Sequence, residues 1–215
     1  VGPQKPVPHF PPPWALSGEG IILVYKFPPD WVHQNACLTE DQAGKFKGGL
    51  GYVMLVHYAQ SPVGPYKELL LIPGKFYPHR RQAITKIFVD TQVSTDNGRY
   101  NWGIPKETTS IAWHSEGNRD TITVGSETAP ALACAIRCSG PAFPISTRLL
   151  PIRLHQVLDG ATFRTSPVGR GWGRWSRVEK LVVDPHQFPD ISRFQPLVSI
   201  RVSPFHLFFP ETQLK

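Results

Sequence analysis

Apolar residues in this chain gather in short runs, separated by proline, glycine and polar turns. The first run, residues 20–27, lies between Gly20 and Pro28-Pro29 and predicts a strand. Residues 52–58 and 68–72 predict two more, with Ser61-Pro-Val-Gly-Pro65 as the turn between them. The pattern continues at 84–89, 110–114, 121–124 and 132–137, and later at 148–158, 178–183 and 197–202. Only 30–48, where Trp31, Val32 and Leu38 are weakly periodic, is read as holding a short helix. Many short strands with frequent turn residues predict a mainly β fold with some α, an antiparallel sandwich or barrel.

With 215 residues the chain forms one large domain and buries a core without disulfides or metal. Its 23 prolines and 18 glycines disfavour long helices. The proline-rich residues 1–16 read as an extended N-terminal arm, with Trp14 pinning its end, and residues 17–215 as the single domain. Ser61-Pro-Val-Gly64 recurs as Ser166-Pro-Val-Gly169, two similar turns rather than a duplicated fold.

Charge and cysteine content narrow the classes of function. The net charge is +7, but the basic residues are scattered, and the densest group, Arg170, Arg174 and Arg177, lies in a Gly/Trp-rich stretch. Without a basic helix or an RNA-reading aromatic motif, no nucleic-acid partner is expected; an anionic small molecule suits the mild positive field. Cys37, Cys134 and Cys138 form no disulfide framework and no CxxC pair, and read as buried thiols of a reduced, cytoplasmic protein. No apolar run has the length of a membrane span, and residues 1–13 show no signal-peptide pattern, so no membrane partner is expected. The histidines lack metal-ligand spacings, and no P-loop, GxSxG or dinucleotide-binding glycine motif is present, so neither metal nor cofactor is expected. Gly169-Arg-Gly-Trp-Gly173 reads as a glycine-rich turn.

Two segments carry candidate chemistry: His57-Tyr-Ala-Gln-Ser-Pro-Val-Gly-Pro-Tyr-Lys-Glu68, running on to Gly74, and Asn101-Trp-Gly-Ile-Pro-Lys106-Glu107. Together they resemble the acetoacetate decarboxylase family, which has a Ser-x-x-Gly-x-Tyr-x-Glu turn and strand followed by a Pro-Lys motif. The resemblance implies a cone-shaped antiparallel β-barrel around a deep pocket, with Lys106 as Schiff-base or proton-donating residue and Glu68 as acid or base. It places Tyr66, Val53 and Trp102 around a substrate. Three positions depart from the family: Glu107 stands where a second lysine follows the Schiff-base lysine, Val53 where a second glutamate lies, and Gly18 where an arginine lies. Arg164 or Arg81 is the candidate replacement for that arginine. These departures argue against acetoacetate itself and for a larger, more apolar pocket, as in relatives from specialised metabolism with aldol, dehydration or cyclisation chemistry.

The chemistry demanded of Lys106 is specific. An amine near its ordinary pKa of about 10.4 is protonated at neutral pH and attacks no carbonyl. Desolvation or a neighbouring cation must lower that pKa before an imine forms. Trp102, Ile104 and Pro105 supply apolar neighbours, whereas a charged Glu107 close by would act in the opposite direction. The leading expectation is a lyase-type biosynthetic enzyme acting on a keto or enone acid or a larger apolar metabolite. The alternatives are a non-covalent cyclase or isomerase using Glu68, and a small-molecule-binding protein with a vestigial site. Each has a small molecule as partner and leaves room for a homo-oligomer.

Overall fold

A computed structural model describes residues 8–149 and 151–214; residues 1–7 of the proline-rich arm lie outside the described residues. The chain opens with β1 (Trp14–Tyr25), α1 (Pro29–Asn35), β2 (Phe46–Gly48), β3 (Gly51–Gln60) and β4 (Tyr66–Ile72). It continues through β5 (Lys75–Phe76), β6 (Arg81–Gln82), β7 (Lys86–Val89), α2 (Gln92–Trp102) and β8 (Lys106–Thr108). Next come β9 (Ile111–Glu116), β10 (Arg119–Gly125), β11 (Pro130–Ser146), β12 (Leu154–Leu158) and β13 (Ala161–Thr165). Last are β14 (Val168–Val183), β15 (Val198–Phe209) and β16 (Gln213–Leu214).

Ten strands form one curled sheet in the order β8-β7-β4-β3-β1-β15-β14-β11-β10-β9, a half-barrel; a smaller sheet runs β16-β13-β12-β6-β5-β2. The pairing is antiparallel apart from β7 with β8 and β12 with β6. The mainly β expectation therefore holds. The centre of the large sheet is buried on both faces. On one, Ile21, Leu23, Val53, Leu55, Leu69 and Leu71 pack with Ile122, Val124, Leu132 and Ile136 from the β10–β11 end, which curls back over it. On the other, Tyr52, Val56, Tyr58, Tyr66, Leu70 and Ile72 pack with Trp102, Ile104 and Leu154. Burial on both sides explains why β3 and β4 read as continuous apolar runs instead of alternating ones.

Several elements differ from the sequence expectation. The first strand begins at Trp14, six residues before Gly20, because Trp14 to Gly18 pair with Phe209 to Phe205 of β15 before a register shift at Gly18/Gly20. Trp14 is buried and meets the Trp102 ring edge-on at 4.9 Å. The stretch 148–158 shortens to β12. Gly169 to Gly173 is strand, not turn: its glycines alternate with exposed Arg170, Trp172 and Arg174, a period of two without the usual apolar inward residues. Cys37 is exposed, while Cys134 and Cys138 are buried. The largest omission is α2, whose sequence shows no apolar stripe. No helix among the described residues is long and apolar enough to cross a membrane.

Candidate active site

Lys106 reaches its place through the end of α2. Gly103 caps that helix in the left-handed conformation, φ 60°, where a side chain would be strained and a Cβ would run into Phe163. The chain then turns through Ile104 and Pro105 into β8, where Lys106 lies opposite Ile87 of β7. Burial leaves Lys106 only 4% exposed and Glu68, on β4, 5%. The Lys106 Nζ donates to Ser94 Oγ at 3.0 Å, lies 3.6 Å from Glu68 Oε2 and sits 4.9 Å from the centre of the Tyr66 ring. The Tyr58 hydroxyl donates to Glu68 Oε1 at 2.9 Å. Gly98 of α2 makes room for the lysine stem: a Cβ there would come within 2.6 Å of Lys106 Cδ.

Burial pulls the Lys106 pKa below its ordinary value, and Glu68 opposes that shift by attraction and hydrogen bonding. Burial pushes the Tyr58 and Tyr66 hydroxyls well up, and the Glu68 charge adds to the effect. Both tyrosines thus stay neutral at physiological pH, and Tyr58 donates to Glu68. Glu107, beside Lys106 in sequence, turns the other way along β8. It is about half exposed and accepts from Lys86 Nζ at 2.7 Å.

Beside this cluster lies a cavity of about 170 Å³ with almost wholly apolar walls, including Met54, Val56, Leu70, Ile72, Ile84 and Leu154. Tyr58 and Glu68 are the polar groups that the β3–β4 wall contributes. Glu68 thus faces the cavity with one oxygen held by Tyr58, and the Lys106 amine lies directly behind it.

The remaining residues singled out from the sequence fall elsewhere. Val53 is fully buried on the opposite face of β3, among Leu55, Leu69 and Leu71, because odd and even positions of a strand point apart. Met54 is the neighbour that lines the cavity. Trp102 packs edge-on against Trp14 and Phe209 and donates from its indole N–H to the Pro210 carbonyl at 2.8 Å, bracing the end of α2. Arg164 and Arg81 line a separate cleft on the outside of the smaller sheet. Gly18 leaves no room for an arginine: a Cβ there would run into the His57 carbonyl. Two members of the cluster were not singled out beforehand. Tyr58 ends an apolar run and reads as core, and Ser94 lies in the helix that carried no apolar pattern.

No family model and no curated protein sequence matches the chain. Solved structures do resemble it. Acetoacetate decarboxylase from Legionella pneumophila superposes with a TM-score of 0.70 at 14% identity, covering 98% of this chain and 92% of that one. The enduracididine biosynthesis enzyme MppR complexed with pyruvate has a TM-score of 0.66 at 16% identity, covering 95% of this chain and 91% of that one. An acetoacetate decarboxylase-like enzyme from Sphingomonas wittichii RW1 has a TM-score of 0.60 at 12% identity, covering 94% and 92%.

Proposed function

We propose, from the premise that this chain has the fold of acetoacetate decarboxylase, that it is a lyase-type enzyme acting on a keto or enone acid with an apolar body. The observation that carries this reading is the buried Lys106 amine, 3.6 Å from Glu68 at the wall of an apolar cavity. Burial favours the neutral amine against the opposing pull of Glu68, while Glu107, the next residue in sequence, is turned away and paired with Lys86. The free amine adds to a substrate ketone, water leaves, and a protonated imine remains. That imine accepts the electron pair of a breaking C–C or C–H bond as carbon dioxide, a carbonyl fragment or a proton leaves. The enamine is then reprotonated, and water hydrolyses the imine to release product and free the lysine. Glu68, oriented by the Tyr58 hydroxyl, removes or returns the proton. Ser94 holds the amine in place. Borohydride added with pyruvate, and separately with phenylpyruvate, should fix a covalent adduct that peptide mapping assigns to Lys106. Lys106→Ala should abolish it.

A second reading has its own support, since Glu68 rather than Lys106 faces the cavity. In that reading the pocket shapes an apolar substrate for a non-covalent isomerisation or cyclisation, and Glu68 alone moves protons. Native-substrate turnover that survives Lys106→Ala but not Glu68→Gln would select it. A binding protein with a vestigial site would form no adduct and lose affinity, not turnover, when the cavity is altered.

A further inference from the structure

Outside the half-barrel, the smaller sheet carries a cluster that the reaction above does not use. A cleft of about 480 Å³ is lined by His79, Arg81, His155, Arg164 and Tyr77, with Thr162 at its side. His155 and Arg164 are a cross-strand pair of β12 and β13. Arg164 donates from Nε to His155 Nδ1 at 3.4 Å, and its Nη2 lies 3.2 Å from His79 Nε2. A guanidinium only donates, so each imidazole accepts through the nitrogen that faces Arg164. Arg81 reaches the Leu154 carbonyl at 3.5 Å. Its pKa is lowered first by burial and then by the charges of Arg164 and Arg153.

Among the described residues, this gathering of positive charge has no carboxylate paired with its arginines: the ion pairs involve neither Arg81, Arg153 nor Arg164. The acid lining the cleft, Asp41, is engaged by Lys45 at 3.4 Å. Elsewhere the fold pairs its half-buried arginine: Arg201 binds both Asp120 and Glu19. Guanidiniums brought together against their mutual repulsion, with forked donors facing a cleft of small-molecule size, suit a multiply charged oxyanion.

We propose that Arg81, Arg164, His79 and His155 form a binding site for a multiply charged oxyanion, a phosphorylated or polycarboxylate small molecule. The ligand carboxylate or phosphate displaces the imidazoles from Arg164 and takes their place. The charged and titratable groups around His155 and His79 are Arg81, Arg153, Arg164, Lys45 and Asp41. Burial first, and then His79 and Arg164, hold His155 below its ordinary pKa, while Asp41 acts in the opposite direction. A bound anion outweighs the arginines and favours the protonated form of His155, so binding takes up a proton and strengthens as pH falls.

Calorimetry on the intact chain at constant ionic strength tests this with pyrophosphate, citrate and acetate at pH 6 and pH 8. Saturable binding of pyrophosphate or citrate, tighter at pH 6 and stronger than acetate, is the expected result; which of the two binds identifies the ligand source. Arg164→Gln and Arg81→Gln should each weaken it by about tenfold or more, the loss of a charge-assisted contact. Arg174→Gln, on exposed β14, and Lys106→Ala should leave it unchanged, which separates this site from the reaction centre. No saturable binding by either polyanion overturns the proposal, as does affinity unchanged in both cleft variants or between the two pH values.

Discussion

At the scale of single residues, the candidate site depends on small side chains as much as on reactive ones. Gly98 lies against the Lys106 stem, where a Cβ would fall 2.6 Å from Cδ and 2.7 Å from Cε. Alanine would gain about 1 kcal/mol in helix propensity but introduce overpacking worth about 1–3 kcal/mol. The clash is buried and displaces the amine, so Gly98→Ala should lower both thermal stability and turnover. Denaturant unfolding and a turnover assay would check the two effects. Glu107→Lys makes the opposite case. Glu107 is exposed and paired with Lys86, so the substitution should change activity by no more than about threefold, since exposed charges interact weakly through water. A loss comparable to that of Lys106→Ala would place Glu107 in the chemistry.

At the scale of elements, β3 separates two roles that adjacent residues carry. Val53→Ala leaves a void among Leu55, Leu69 and Leu71 and should cost about 2 kcal/mol of unfolding free energy with KM unchanged. Met54→Ala enlarges the cavity and should shift KM or the preferred substrate size with a smaller loss of stability. The same strand shows what the sequence made legible. The apolar runs located β3 and β4, and the Tyr66–Glu68 and Pro105–Lys106 motifs marked side chains that the fold brings together. The face on which Val53 points was not legible, because a strand buried on both sides shows no alternation. Helix α2 was illegible for a related reason. Its buried positions include Ser94, Thr95, Asn97, Gly98 and Asn101, so the face it packs inward is polar and leaves no periodic apolar signal. Ser94 was lost with it. Arg164 suited the site by residue type alone, but its strand belongs to the second sheet.

At the scale of the whole molecule, the curl of the large sheet sets both the core and the site. Arg201 on β15 reaches Asp120 on β10 at 2.6 Å and Glu19 on β1 at 2.8 Å, tying the curled end of the sheet to its centre. Arg201→Met would leave buried Asp120 without its cation and should cost about 3–5 kcal/mol. A chemical denaturation curve would measure it, and a loss under about 1 kcal/mol would mean that the pair does not hold the curl. The opposite face of the sheet, closed by α2 and the smaller sheet, removes Lys106 from water, and the proposed imine chemistry depends on that burial freeing the amine. The most direct test is an NMR titration of the Lys106 amine, assigned by its absence in Lys106→Met. The predicted midpoint lies below 10.5, the ordinary lysine value, and moves lower still in Glu68→Gln, where the opposing carboxylate is gone. A midpoint at or above 10.5 would contradict the account, because the amine would then remain protonated and unable to attack a carbonyl at neutral pH.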